Sequence, residues 1–379
     1  MWIAAVVVGL LSLLTGAVTP HAAGDVLGQV GPVLGFLAGI TVLAELADAA
    51  GVFAAAAHLA ARAGAGSTRR LFGLVLVLGT ATTLVLSLDT TAVLLTPVVL
   101  TLTRQVKVAT VPFAMATVWL ANTASLLLPV SNLTNLLAMR RLGLSVTGFA
   151  AQMWLPAVVA LAVTIAVLTL RYRRQLSGRY EVPRFQPPAD RVTFTAGALA
   201  CLAVGPLFVA GFDVTVVSCV AALAVALVFA VRDRSKLRFS LLPWRLVLLV
   251  VGLFLLVRAG ADHGLNHLLA DAAGTSASAG GLLRMAGVGA GASNVVNNLP
   301  AFAALQPVAG DSVPRMLALL LGTNLGPLIV LWGSLATLLW RERCAAADVH
   351  ISAREFAIVG TIGVPLLLVG CGLALTLTT

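Results

Sequence analysis

NTASLLLPVSNLTNLL, residues Asn122 to Leu137, sets a polar break inside an apolar run, and the pattern occurs twice. Laid without a gap on NLGPLIVLWGSLATLL, Asn324 to Leu339, it matches at the leading Asn, at Leu126 with Leu328, at Leu133 with Leu335, and at the paired leucines that close each segment. Each copy reads as an apolar helix, a break, and a short apolar helix. Each also lies within a run long enough to cross a bilayer, where an unpaired backbone group costs several kcal/mol. Broken helices persist there only around a cavity. Two related copies predict an internally duplicated transporter with its site where the copies meet.

The rest of the chain agrees with a polytopic, all-helical membrane protein. Its 379 residues are 60% hydrophobic and 10% charged, with a mean hydropathy of +1.03. The net charge of +10 would suit nucleic acid in a soluble protein. Here the basic residues fall in short loops between apolar runs, so they report membrane topology and no nucleic-acid partner is expected. Cys201, Cys219, Cys344 and Cys371 lack metal-ligand spacing and read as small apolar residues. No Walker A sequence is present, and no site gathers the His, Cys, Asp and Glu of an enzyme. A membrane scaffold without transport would have no use for two matched breaks.

Working outward, Met1 to Val18 has no Lys or Arg in front of it and reads as a first span rather than a cleaved signal. A second span covers Pro32 to Ala49, and an amphipathic stretch follows at Val52 to Arg62. Residues 71–103 read as a re-entrant hairpin with its polar tip at Asp89, Thr90 and Thr91, since the arm Ala92 to Thr103 is too short to cross a core of roughly 30 Å. The first broken helix occupies 111–141, with another span at Gly148 to Leu170. An Arg- and Pro-rich cytoplasmic linker, 171–191, divides an N-terminal half (1–170) from a C-terminal half (192–379). Spans at Val192 to Ala210 and Val214 to Val231 come next, and the order then repeats. Trp244 to Val257 is a span, Asp262 to Ala272 an amphipathic stretch, 280–308 a hairpin with its tip at Ser293 to Asn298, 313–340 the second broken helix, and Phe356 to Thr376 a last span.

With the N-terminus cytoplasmic and the C-terminus outside, only Arg140, Arg141, Arg258, Arg284 and Arg315 of the 24 basic residues fall on the outer side. This bias puts the ends of one hairpin inside and those of the other outside, which makes the duplication an inverted repeat. An Arg- and Ala-rich composition points to a bacterial plasma membrane.

Four polar breaks carry the chemistry. The hairpin tips offer Asp89, Thr90 and Thr91, then Ser293, Asn294, Asn297 and Asn298. The broken helices offer Asn122, Thr123, Ser125, Ser131, Asn132, Thr134 and Asn135, then Thr323, Asn324, Ser334 and Thr337. Hydroxyls and amides with one carboxylate can replace the water around a small inorganic solute or ion, although many such residues merely cap half-helices or join neighbours. Asp89 stands out, because an intramembrane carboxylate is costly and so marks a candidate proton carrier; the same residue also fits as the N-cap of the arm behind it. Glu45 and Asp48, near a span end, fit a solvated or interfacial role better than coupling. His263, His267 and Asp271 share one helical face, yet a polar face on an amphipathic stretch is the plainer reading than a metal site.

LDTTAVLLTPVVL at Leu88 to Leu100, the two breaks above, and SNVVNNLPAF at Ser293 to Phe302 together resemble the arsenite permeases of the ArsB type. These belong to an ion transporter superfamily that also holds NhaD-type sodium/proton antiporters and dicarboxylate carriers. The resemblance covers nearly the whole chain in order. Asp89 matches the family's hairpin-tip carboxylate, although Leu88 and Thr90 flank it in place of an Asn-Asp-Gly setting. Leu331, Trp332 and Gly333 stand where the family usually carries Thr-Pro-Ile-Gly. The resemblance implies proton-coupled efflux of arsenite or antimonite without a cofactor, and a homodimer in which hairpins and broken helices move against a scaffold. A sodium/proton antiporter is the alternative, and dicarboxylate transport is weaker because no Lys or Arg falls at a break except Arg140 and Arg141, which lie just beyond one of them. Whether a partner ATPase drives the transporter stays open.

Overall fold

The structure is a computed structural model that describes residues 19–182, 189–262 and 265–379. The span expected at Met1 to Val18 lies outside the described residues, as does His263. In chain order the N-terminal helices are α1 (Pro20–Ala49), α2 (Val52–Ala63), α3 (Thr68–Val85), α4 (Thr96–Gln105), α5 (Thr110–Thr123), α6 (Leu133–Arg141) and α7 (Val146–Tyr172). They continue as α8 (Arg191–Val209), α9 (Val214–Arg232), α10 (Trp244–Asp262), α11 (Leu265–Ala273), α12 (Ala279–Val296), α13 (Asn298–Ala309), α14 (Val313–Leu325), α15 (Leu335–Ala346) and α16 (Ala353–Leu375). Among the described residues six helices are long and apolar enough to cross a membrane, the stretch Gly31–Ala49 of α1 and all of α3, α7, α8, α9 and α16.

Contacts sort the helix ends onto two faces. On the first, Thr68 N–H donates to Gly178 O at the foot of α3, Arg104 at the end of α4 donates to Ala347 O, and Arg171 pairs with Glu355 at 2.7 Å. Both ends of the first hairpin therefore lie on one face. On the opposite face Arg141 pairs with Asp311 at 3.0 Å, Arg140 lies 4.0 Å from Asp213, and Arg315 donates to Gly274 O, Ser276 O and Val308 O. Both ends of the second hairpin lie there. The two hairpins enter from opposite faces, as an inverted repeat requires.

The first face also holds Asp190, the cap of α8. The Arg232 guanidinium at 3.1 Å, with the Val192 N–H, draws its carboxyl down to about 2.

The core forms where hairpins and broken helices pack together. Every residue of α14 from Arg315 to Leu325 is buried, and so is every residue of α5 from Pro112 to Thr123. Phe72 and Phe113 meet edge to face at 5.4 Å, and Trp340 lies against Phe356 at 5.8 Å. The second broken helix is approached more closely. A Cβ on Gly322 would strike Ala286 O, one on Gly326 would strike Ala290, and one on Gly360 would strike Leu328 O. Only glycine lets the backbones of α12, α14 and α16 meet at this distance. On the periphery, Leu199, Leu202, Leu223 and Leu227 of α8 and α9 are exposed, which suits a face turned to lipid.

The hairpin boundaries differ from the expectation. The first turn is made at Leu86 and Ser87, so Asp89, Thr90 and Thr91 belong to the ascending arm. That arm is helical from Leu88 to Gln105, with a π-helical segment at Thr91–Leu95. The second turn is a single residue, Asn297 at φ 91°, so Ser293 and Asn294 lie in the last turn of α12.

Candidate functional site at the meeting of the four breaks

The first broken helix ends by local chemistry. After α5 the chain tightens into a 3-10 turn at Ala124–Leu126, and Pro129 forces Leu128 into an extended conformation. Asn132, also extended, caps α6 by accepting the Thr134 N–H at 3.2 Å. The carbonyls freed by the break, Ser125 O and Leu128 O, take hydrogen bonds from Asn135 Nδ2 at 2.7 and 3.3 Å. In the second copy Ser334 caps α15, accepting the Thr337 N–H at 3.1 Å, and the two hydroxyls pair at 2.8 Å.

Asn324 joins the two copies. Its Oδ1 accepts from Asn132 Nδ2 at 2.9 Å and from Thr134 Oγ1 at 3.1 Å, and its Nδ2 donates to Asn135 Oδ1 at 2.8 Å. All four residues are buried, so the members of this network depend on one another. Asn122, the counterpart of Asn324, has no such clamp. It donates to Val118 O on its own helix at 2.9 Å, and its buried Oδ1 has no partner among the described residues.

The hairpin tips are held differently. Asn294 Nδ2 donates to Gly326 O at 2.8 Å and Asn297 Nδ2 to Trp332 O at 2.9 Å. Asn298 N–H donates to Gly333 O at 2.8 Å, and the Trp332 indole donates back to Asn294 O at 2.8 Å. The second tip is thus strapped to the second break, and Trp332, half exposed, acts as a strap rather than filling the centre. At the first tip Ser87 caps the ascending arm, accepting the Thr90 N–H at 3.2 Å. The capping role open to Asp89 is taken by Ser87 instead. Thr91 bonds Thr83 at 2.8 Å, and Ser131 of the first break donates to Leu84 O at 3.1 Å.

Asp89 is left without a hydrogen bond or ion pair among the described residues, and it borders two cavities. The first, of about 30 Å³, is enclosed by Leu37, Leu88, Asp89, Asn132, Leu133, Thr134, Asn298, Leu299, Leu335 and Ala336. Side chains from both hairpins and both broken helices meet there, in space for one or two waters. The second cavity, of about 350 Å³, extends from Asp89 and Thr90 past Thr41, Ala44 and Glu45 to Ser240, Pro243 and Arg245. These last three lie in the α9–α10 connection and the start of α10, on the face that carries Arg232 and Asp190.

Of the residues expected at the site, Asp89, Asn132 and Asn298 line the small cavity together, and Thr90 lines the large one. Asn135 and Asn324 stand immediately behind as the clamp. Thr123, Ser125, Ser293 and Thr323 donate to carbonyls of their own helices, while Ser131, Asn294, Asn297, Ser334 and Thr337 hold the tips and breaks in place. Glu45, expected in a solvated or interfacial role from its position near a span end, lines the same cavity as Asp89. A signal was present in the sequence: Thr41, Ala44, Glu45 and Asp48 recur at helical spacing on one face of α1.

Residues 1–332 match the citrate transporter family, CitMHS. The chain is 32% identical over 339 residues to the arsenical pump membrane protein of Yersinia enterocolitica, covering 83% of this chain and 78% of that one. It is 29% identical over 371 residues to the arsenical pump membrane protein of Escherichia coli K12, covering 90% and 85%. An uncharacterised transporter of Mycobacterium tuberculosis is 26% identical over 358 residues, covering 87% and 82%. Among solved structures, the Alcanivorax borkumensis YdaH transporter superposes with a TM-score of 0.60 at 14% identity, over 95% of this chain and 89% of that one, a likeness of fold.

Proposed function

The chain belongs to the citrate transporter family, on the branch that holds the arsenical pump membrane proteins, and from that premise we propose that it exports arsenite or antimonite in exchange for protons, with Asp89 as the coupling carboxyl. It is a multi-pass membrane transporter and not an enzyme. The observation that carries the proposal is the unpartnered Asp89 carboxyl between two cavities where both hairpins and both breaks converge. Arsenous acid is neutral and presents hydroxyls, which match the hydroxyls of Thr41, Thr90 and Ser240 in the large cavity. Citrate fits poorly, because Glu45 and Asp89 set two carboxylates against the single cation Arg245 in the large cavity, and Arg140 and Arg141 beyond the first break turn to acidic partners on the far face.

In this reading the basic face is cytoplasmic. The solute arrives through the large cavity and lies against Thr90 and Asp89, since the small cavity is too tight for it. Passage outward requires the tips to part while Asp89 is protonated from the other side. The proton is then released to the cytoplasm when the large cavity opens again.

A second reading is favoured by one observation. Asn298 Oδ1 is buried without a partner among the described residues, in the wall of the small cavity beside Asp89. A carboxylate and a free amide oxygen around so little space suit a sodium ion, as in a sodium/proton antiporter. Arsenite accumulation in everted vesicles, with and without a proton gradient, tests the pair. Gradient-driven accumulation that Asp89→Asn abolishes supports arsenite/proton exchange. Absence of arsenite movement together with sodium-dependent pH recovery selects the second reading.

A further inference from the structure

We propose that Glu45 is the relay carboxylate that carries the coupling proton between Asp89 and the basic face, across the cavity that both residues line. The inference rests on the proton-coupled reading of Asp89 and adds the route by which that proton reaches water.

Asp89 sits deep between the hairpin tips and has no polar partner through which a proton can pass directly. The large cavity is its only described opening toward the basic face. Most of that cavity wall is apolar, with Ala44, Val93, Leu94, Leu241, Pro243, Leu249, Leu335 and Leu339 contributing no titratable group. Glu45 is the other carboxylate of that wall, and Ser240 and Arg245, both exposed, mark its mouth. It makes no hydrogen bond or ion pair among the described residues. One turn farther along the same face of α1, Asp48 lies within electrostatic reach of both Glu45 and Arg343 of α15. The charged groups around Glu45 are therefore Asp48 on its own helix, Arg343 from α15, and Asp89 and Arg245 in the cavity wall.

The step balances as a proton transfer through cavity water. The Asp89 carboxylic acid gives up its proton and becomes a carboxylate, and Glu45 takes the proton and becomes the neutral acid. Glu45 then releases it to water at the mouth, with the Asp48 carboxylate one turn farther along α1, and returns to the carboxylate. A carboxyl with both a cation, Arg343, and a second carboxyl, Asp48, within electrostatic reach suits a group that must both accept and release.

The experiment uses everted vesicles containing the full-length protein, with two readouts on each variant. One is arsenite accumulation driven by an interior-acid gradient; the other is arsenite self-exchange between the two sides with no gradient, followed with labelled arsenite. For Glu45→Gln the expected result is a fall of roughly tenfold or more in gradient-driven accumulation, the scale of losing a positioned proton carrier, with self-exchange kept within about twofold. Glu45→Asp should recover most of the driven transport. Unchanged driven accumulation in Glu45→Gln overturns the relay. Loss of both readouts together also overturns it, because that assigns Glu45 to folding or solute binding. If the wild type itself accumulates arsenite without regard to the gradient, the Asp89 reading fails and the relay fails with it, an outcome distinct from a relay failure in a proton-driven wild type.

Discussion

Asn324 and Asn122 occupy equivalent places in two inverted copies of one motif, yet one is clamped by three side chains and the other holds a buried, unbonded oxygen. The cause lies across the molecule from each. Opposite Asn324 the first break supplies Asn132, Thr134 and Asn135. The matching positions of the second break are Ser334, Ala336 and Thr337, where Ser334 and Thr337 satisfy each other and Ala336 has nothing to donate. The duplicated architecture is thus symmetric in its backbone and one-sided in its polar contacts. Two alternative arrangements of such a transporter need not be equal in energy.

The largest expected effect breaks that comparison directly. Asn324→Ala strands a buried Asn132 amide, a Thr134 hydroxyl and the Asn135 Oδ1, at about 1–3 kcal/mol for each unmet group, so the purified protein should lose at least about 3 kcal/mol of stability. Asn122→Ala gives up one bond to its own helix and should cost about 1 kcal/mol or less. Equal losses of melting temperature in the two variants, measured in the same detergent, would show that the clamp contributes nothing special.

The hairpin tips supply a second and smaller contrast. Trp332→Phe keeps a ring but removes the bond to Asn294 O, and at this half-exposed site about 1 kcal/mol is the expected cost. Amide exchange should rise at Asn297 and Asn298 and stay unchanged at Thr90 and Thr91; a uniform rise would mean that the strap acts on the whole fold. The smallest effect sharpens the comparison by trying to restore the missing half. Ala336→Ser places a hydroxyl at the counterpart of Thr134, and a gain of up to about 1 kcal/mol is expected if it reaches Asn122 Oδ1. A fall in melting temperature would locate Asn122 Oδ1 out of reach of that position.

Much of this was legible before any coordinates. Periodicity and length gave the spans, the matched breaks gave the duplication, and the basic residues gave its inversion, because each of these follows from how a chain must satisfy its backbone in lipid. The finer assignments depended on packing between distant segments. Ser87 and Asp89 are both good caps two residues apart, and the turn at Leu86 decides between them. Glu45 looks like any charge near a span end until α1 is laid beside the first hairpin. The unequal clamps were hidden for another reason: Asn, Ser and Thr read alike in composition, while the partners each one finds lie some 190 residues away.

The glycine seam of the second half has one more consequence. Where Gly322, Gly326 and Gly360 let backbone meet backbone, the contact contains no rotamers, so nothing within it can rearrange to absorb a displacement. With the straps at Asn294, Asn297 and Asn298 added, a push on any part of α12, α14 or α16 is transmitted whole, as through a solid lever. The first hairpin, with a π-helical segment in its ascending arm and no glycine contact of this closeness, is the compliant member of the pair, and it is the one that carries Asp89.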